Sequence, residues 1–137
     1  MDVLSELYLN QGKFDSARMV TEEALAINKA NNYGENIPQN YEVLAKVYFE
    51  TGQYGMAELY ADSAMGAAKG LGNVSHIRNS ADILMKIYER EGKDKQALAM
   101  HRLFIQMRDS IQNEEVQERT VKMEAKFEFE KALLIKE

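Results

Sequence analysis

Three observations predict an all-α fold, an α-solenoid of three stacked helix hairpins followed by a long C-terminal helix. The first is a period of forty residues. Val3, Leu4, Leu7 and Tyr8 return as Val43, Leu44, Val47 and Tyr48, and again as Ile83, Leu84, Ile87 and Tyr88. Gly12, Gly52 and Gly92 keep the same interval, as do Ala17, Ala57 and Ala97. A fixed period of about twenty to fifty residues marks a stacked repeat whose single unit cannot bury its apolar face without a neighbour. The second is composition: one proline and an abundance of Ala, Leu, Met, Glu, Lys and Gln, the residues that lose least on entering a helix. The third is spacing, since apolar residues recur at three and four and no run alternates as a strand does.

Each repeat reads as two helices, at about residues 1–11 and 14–31, then 36–51 and 54–70, then 73–91 and 94–110. In the first repeat Val3, Leu4, Leu7 and Tyr8 share one stripe. Gly12 ends that helix, because glycine accepts the left-handed conformation found at helix C-termini. Phe14 and Ala17 open the second helix, which closes at Asn31, Asn32 and Gly34. Met1 enters in register with the apolar face but without the lead-in that precedes Val43 or Ile83, which reads as a chain trimmed upstream, a genuine translation start being the alternative.

In the second repeat Asn36 or its neighbours cap the first helix and Pro38 fits its first turn, where a missing N–H costs little. Thr51-Gly52 ends it, and Tyr54, Ala57, Leu59, Tyr60, Ala61, Ala64 and Met65 carry the second helix to Gly70 and Gly72. Asn73 is the expected cap of the third repeat. Ala17, Ala57 and Ala97 lie one turn into each second helix, with Tyr8, Tyr48 and Tyr88 as bulk opposite, so that small meets large. The boundaries are then 1–34, 35–72 and 73–111 for the repeats and 112–137 for the tail.

In the tail the stripe of Met100, Leu103, Phe104, Met107 and Ile111 meets the polar Gln112, Asn113, Glu114 and Glu115. It resumes out of phase as Val116, Thr120, Met123, Phe127 and Leu134. With no Gly or Pro after Gly92, one helix of about 60 Å can run to the end; alternatively Asp109 or Ser110 caps a separate helix. The spacing of Val116, Met123, Phe127 and Leu134 fits about two heptads of a coiled coil that would serve as an assembly helix and pair two copies. A cap folded back over the last repeat fits the same residues.

Composition excludes several functions. A net charge of −5, from 17 basic and 22 acidic residues, argues against direct nucleic-acid binding. Without cysteine there is no disulfide, thiolate nucleophile or Cys-ligated metal, and the compartment stays open. No run nears the roughly 18 consecutive apolar residues of a membrane span, so no membrane insertion is expected of this segment. The first twenty residues carry acids where a signal peptide carries bases.

Leu44-Ala45-Lys46-Val47-Tyr48 followed by Gly52, Tyr54, Ala57 and Ala64 resembles the tetratricopeptide repeat family. The first-repeat counterparts are Leu4, Ser5, Tyr8, Gly12, Phe14, Ala17 and Ala24, and the third-repeat ones are Leu84, Tyr88, Gly92 and Ala97. The match covers nearly all of residues 1–110. It departs from the family in the longer period, in the missing closing proline, and in Asp94, His101 and Phe104 of the third copy. Met107-Arg108-Asp109-Ser110-Ile111, Asn113-Glu114-Glu115 and Lys126-Phe127-Glu128-Phe129-Glu130-Lys131 are similar to the segment after the repeats in bacterial sensory regulators, where a histidine kinase or DNA-binding output domain follows.

No catalytic residue is expected. His76 and His101 are the only histidines, neither lies in a nucleophile, phosphate-loop or metal-ligand motif, and no cofactor or metal is implied. What the resemblance implies is a non-enzymatic module that binds a protein or peptide on a concave face lined by the first helices. That places Glu6, Leu9, Glu42, Lys46, Phe49, Asp82, Lys86, Glu89 and Arg90 on or near the groove, with Phe49 as the anchor. Glu42 with Lys46 and Asp82 with Lys86 are expected i,i+4 ion pairs. The acids Asp2, Glu42 and Asp82 on equivalent rungs favour a mixed or basic peptide. The alternative function is structural self-association.

Overall fold

The computed structural model describes residues 2–136, with side chains from Val3 to Ile135; the Asp2 side chain and the chain start at Met1 lie outside that range. The described residues are all-α, with no strand among them. The helices are α1 (Asp2–Asn10), α2 (Phe14–Ala30), α3 (Ile37–Glu50), α4 (Tyr54–Leu71), α5 (Val74–Arg90) and α6 (Asp94–Lys136), with a 3₁₀ turn at Gly34–Asn36 before α3.

One corner is used five times. Gly12, Gly52, Gly72 and Gly92 all take positive φ, from 65° to 78°. At the hairpin corners the N–H of Lys13, Gln53 and Lys93 donates to the carbonyl of Tyr8, Tyr48 and Tyr88 at 2.8 to 2.9 Å, closing the last turn. Asn32, at φ 57°, takes the left-handed place after α2, and Tyr33 N–H donates to Asn28 O at 2.8 Å. The left-handed residue there is therefore Asn32 and not Gly34. Lysines cover two of the corner tyrosines, Lys13 over Tyr8 and Lys93 over Tyr88, each 5.9 Å from the ring centre.

Asn73 caps α5, its side chain accepting from His76 N–H at 3.1 Å. Asn36 makes no side-chain cap bond, because the 3₁₀ turn already holds it in a helical conformation; Pro38 sits in the first turn of α3.

Consecutive helices pack on one another, and α3 also touches α1 and α5. The core has two parts. Ala17 packs with Val43 and Val47, while Ala57, Ala61 and Met65 pack with Ile83, Leu84 and Ile87. Leu44 and Ile87 are fully buried, each worth about 1.5–3 kcal/mol relative to exposure. The alanines let α4 approach α5 closely, and Tyr48 stacks on Tyr60 across α3 and α4 at 5.5 Å between centroids. Asn28 donates to Asn40 at 2.7 Å, pinning α2 to α3.

α6 continues through residues 110–115 without a break, because Gln and Glu are good helix formers and no Gly or Pro intervenes. Its 43 residues span about 64 Å. Neither Asp109 nor Ser110 caps a separate helix. From Gln112 to Ile135 every side chain is exposed, so the tail does not fold back over α5 and the start of α6.

Candidate binding groove

The C-terminal parts of α1 and α3 and the middle of α5 converge on a groove of about 500 Å³. Leu9 comes from the last turn of α1 and Phe14 from the start of α2. Lys46, Phe49 and Glu50 come from α3, and Asp82, Ile83 and Lys86 from α5. The repeat puts like positions beside each other: Leu9 and Phe49 are forty residues apart, as are Lys46 and Lys86. The lining combines apolar side chains with charged ones.

Phe49 is half-buried and held on two sides. Its ring lies 5.6 Å from that of Tyr54, tilted 56°, and the Arg90 guanidinium sits 5.9 Å from its centre. A cation over an exposed aromatic ring contributes about 0.5–1 kcal/mol, enough to orient the ring without closing it off. Lys86 pairs with Asp82 at 3.0 Å, the expected i,i+4 contact. Lys46 makes no ion pair with any described carboxylate.

Glu42 explains the state of Lys46. It is 4% exposed and turned away from the groove, with Oε1 and Oε2 at 3.1 and 3.2 Å from His76 Nδ1 in α5. Burial pushes its carboxyl above the ordinary range against the opposing pull of His76, Lys46 and Asn79. The expected Glu42–Lys46 pair is therefore replaced by Glu42–His76. The first turns of α5 lie over Glu42, whereas its counterpart Asp82 has no following hairpin above it and stays half-exposed.

Of the residues expected to line one face, Leu9, Lys46, Phe49, Asp82 and Lys86 meet in the groove, with Arg90 over Phe49. Glu6 lies apart, in a shallow depression with Val3, Leu7, Asn10 and Gln39. Glu89 is exposed outside the groove lining, and Glu42 is inaccessible to a ligand. Phe14, Glu50 and Ile83 were not expected there. Phe14 and Ile83 belong to apolar positions that periodicity assigns to packing; Ile83 is buried and Phe14 partly buried where they border the groove.

Val116, Met123, Phe127 and Leu134 are 51%, 71%, 63% and 74% exposed on one stripe of α6. Among the described residues no three His, Asp or Glu side chains converge to hold a metal, and no helix is long and apolar enough to cross a membrane. Compared with known proteins, the chain matches no family model, and no curated protein or solved structure matches it.

Proposed function

We propose that the chain is a tetratricopeptide-like solenoid of three hairpins acting as a non-enzymatic peptide-binding module, the sensory or scaffolding part of a larger bacterial signalling protein. The observation that carries this reading is the groove, where the apolar side chains of Leu9, Phe14, Phe49 and Ile83 adjoin Lys46, which makes no ion pair among the described residues. The charge expectation changes with the burial of Glu42 and the pairing of Asp82. A peptide carrying an apolar or aromatic anchor beside an acidic residue suits this groove better than a basic one: the anchor displaces water from Phe49 and the carboxylate meets Lys46. Ligand binding would bias the tilt between α3 and α5, and α6 would carry that change as a continuous rod.

Selection from a random peptide display library tests the reading. The expected outcome is enrichment of an aromatic or large aliphatic residue next to Asp or Glu, lost in Phe49→Ala and shifted toward Lys or Arg in Lys46→Glu. A folded Phe49→Ala, Lys46→Ala double variant that selects the same peptides excludes the groove.

The exposed stripe of α6 supports a second reading, self-association through Val116, Met123, Phe127 and Leu134. Sedimentation of the full chain is expected to give a dimer that Met123→Glu with Phe127→Glu converts to a monomer. A monomeric parent at high concentration rejects it.

A further inference from the structure

The forty-residue repeat allows each first helix to be compared with its counterparts position by position. Val43, Leu44 and Val47 of α3 are 2%, 0% and 3% exposed, and Ile83, Leu84 and Ile87 of α5 are 5%, 3% and 0%. Val3, Leu4 and Leu7 of α1 are the same positions forty residues earlier, yet they are 82%, 40% and 49% exposed. The difference has a single structural origin. What covers α3 is α2, through Ala17, and what covers α5 is α4, through Ala57, Ala61 and Met65; nothing among the described residues holds that place against α1.

The opposite end of the stack is built differently. Forty residues after Ala61 and Ala68, both fully buried against α5, stand His101 and Arg108, both exposed. Their bulk and polarity prevent α6 from receiving another first helix as α4 receives α5. The same two residues argue against a second copy docking its α6 on α1 head to tail, since that contact would press His101 and Arg108 onto Val3 and Leu7. The array therefore has one finished end and one end with an interior-type surface.

We infer that the outward face of α1, carrying Val3, Leu4 and Leu7, is an interface for a further helical hairpin of this same repeat type, whose second helix presents small residues at the spacing of Ala57, Ala61, Ala64 and Ala68. The inference rests on the repeat register and is independent of any ligand in the groove. Docking of that kind extends the row of first helices by one and lengthens the groove past Leu9.

The test duplicates residues 41–80 directly before Met1 in the full chain. This keeps the register, places a copy of α4 opposite α1, and gives α1 the additional turns that α5 has. The expected result is a melting temperature raised by roughly 5 °C or more, with amide exchange in α1 slowed at least about tenfold. Val3→Glu with Leu7→Glu is expected to remove most of that gain in the extended protein, while shifting the melting temperature of the original chain by less than about 2 °C. A second extension, duplicating residues 1–40 before Met1, offers α1 the stripe of Ala17, Thr21 and Ala24 instead and guards against a poor junction in the first. The inference is overturned if neither extension folds, if α1 exchanges in both as it does in the original chain, or if the double glutamate variant leaves the gain intact.

Discussion

Glu42 of α3 and His76 of α5 are joined side chain to side chain, both carboxylate oxygens within 3.2 Å of the imidazole Nδ1 and the carboxyl 4% exposed. Burial raises the Glu42 pKa above its usual 4.5. A carboxyl raised in the folded state holds its proton more tightly there than in the unfolded chain. Its contribution to stability is thus fully present below 4.5 and is lost as pH rises through the raised folded value. Glu42→Gln keeps an acceptor for the imidazole without a buried charge, and is expected to flatten the fall of stability as pH rises above 4.5. Glu42→Ala leaves His76 without its carboxylate partner and is expected to cost about 1–3 kcal/mol by urea denaturation. Equal pH slopes in the parent and the glutamine variant would remove Glu42 as the source.

The hairpin corner at Gly52 has φ 78°, and a Cβ added there meets no heavy atom within 4 Å. The cost of Gly52→Ala is therefore backbone strain alone, about 1–2 kcal/mol. Asn32 occupies the same conformation after α2 with φ 57°, so Gly52→Asn is expected to cost less than Gly52→Ala. Thermal melts of the two variants rank them, and equal losses would mean that the left-handed conformation is not what the glycine provides.

Ser80 is fully buried in α5 and its hydroxyl has no hydrogen-bond partner among the described residues. An unsatisfied buried hydroxyl opposes folding, and Ser80→Ala removes it while keeping the small volume that its neighbours require. The variant is expected to match or exceed the parent in stability, by up to about 1 kcal/mol in urea denaturation. A loss greater than that would reveal a partner for the hydroxyl.

The features legible in the sequence are those that repeat. The corners at Gly12, Gly52 and Gly92, the small residues at Ala17, Ala57 and Ala97 and the cap at Asn73 all follow from local chemistry or from a position recurring three times. What is hidden depends on neighbours that only the fold supplies. Glu42 and Asp82 are equivalent in register, yet one lies beneath α5 and the other beneath nothing, so identical sequence logic assigns both to an exposed face. The signal for Glu42 was a histidine in the first turn of the following hairpin, thirty-four residues away and outside the repeat pattern. For the tail, the polar stretch Gln112–Glu115 interrupts the apolar stripe but not the helix, because backbone propagation depends on propensity and not on which face is apolar.

That distinction is measurable, since the chain has no cysteine and two introduced ones carry spin labels at unique sites. Leu98 and Ile135 are 49% and 77% exposed, so Leu98→Cys and Ile135→Cys disturb no packing. Along one uninterrupted helix the 37 residues between them span about 55 Å at 1.5 Å each. Double electron–electron resonance is expected to give a single distribution near that distance. A tail that turned back at residues 112–115 would bring residue 135 close to residue 98, at roughly 20 Å or less, because the two arms, of about 14 and 20 residues at the same rise, nearly cancel. The same pair measured with and without a groove-selected peptide checks whether α6 moves as a rod: its internal distance is expected to stay constant while its orientation to α3 changes, and shortening on binding would reject that route of transmission.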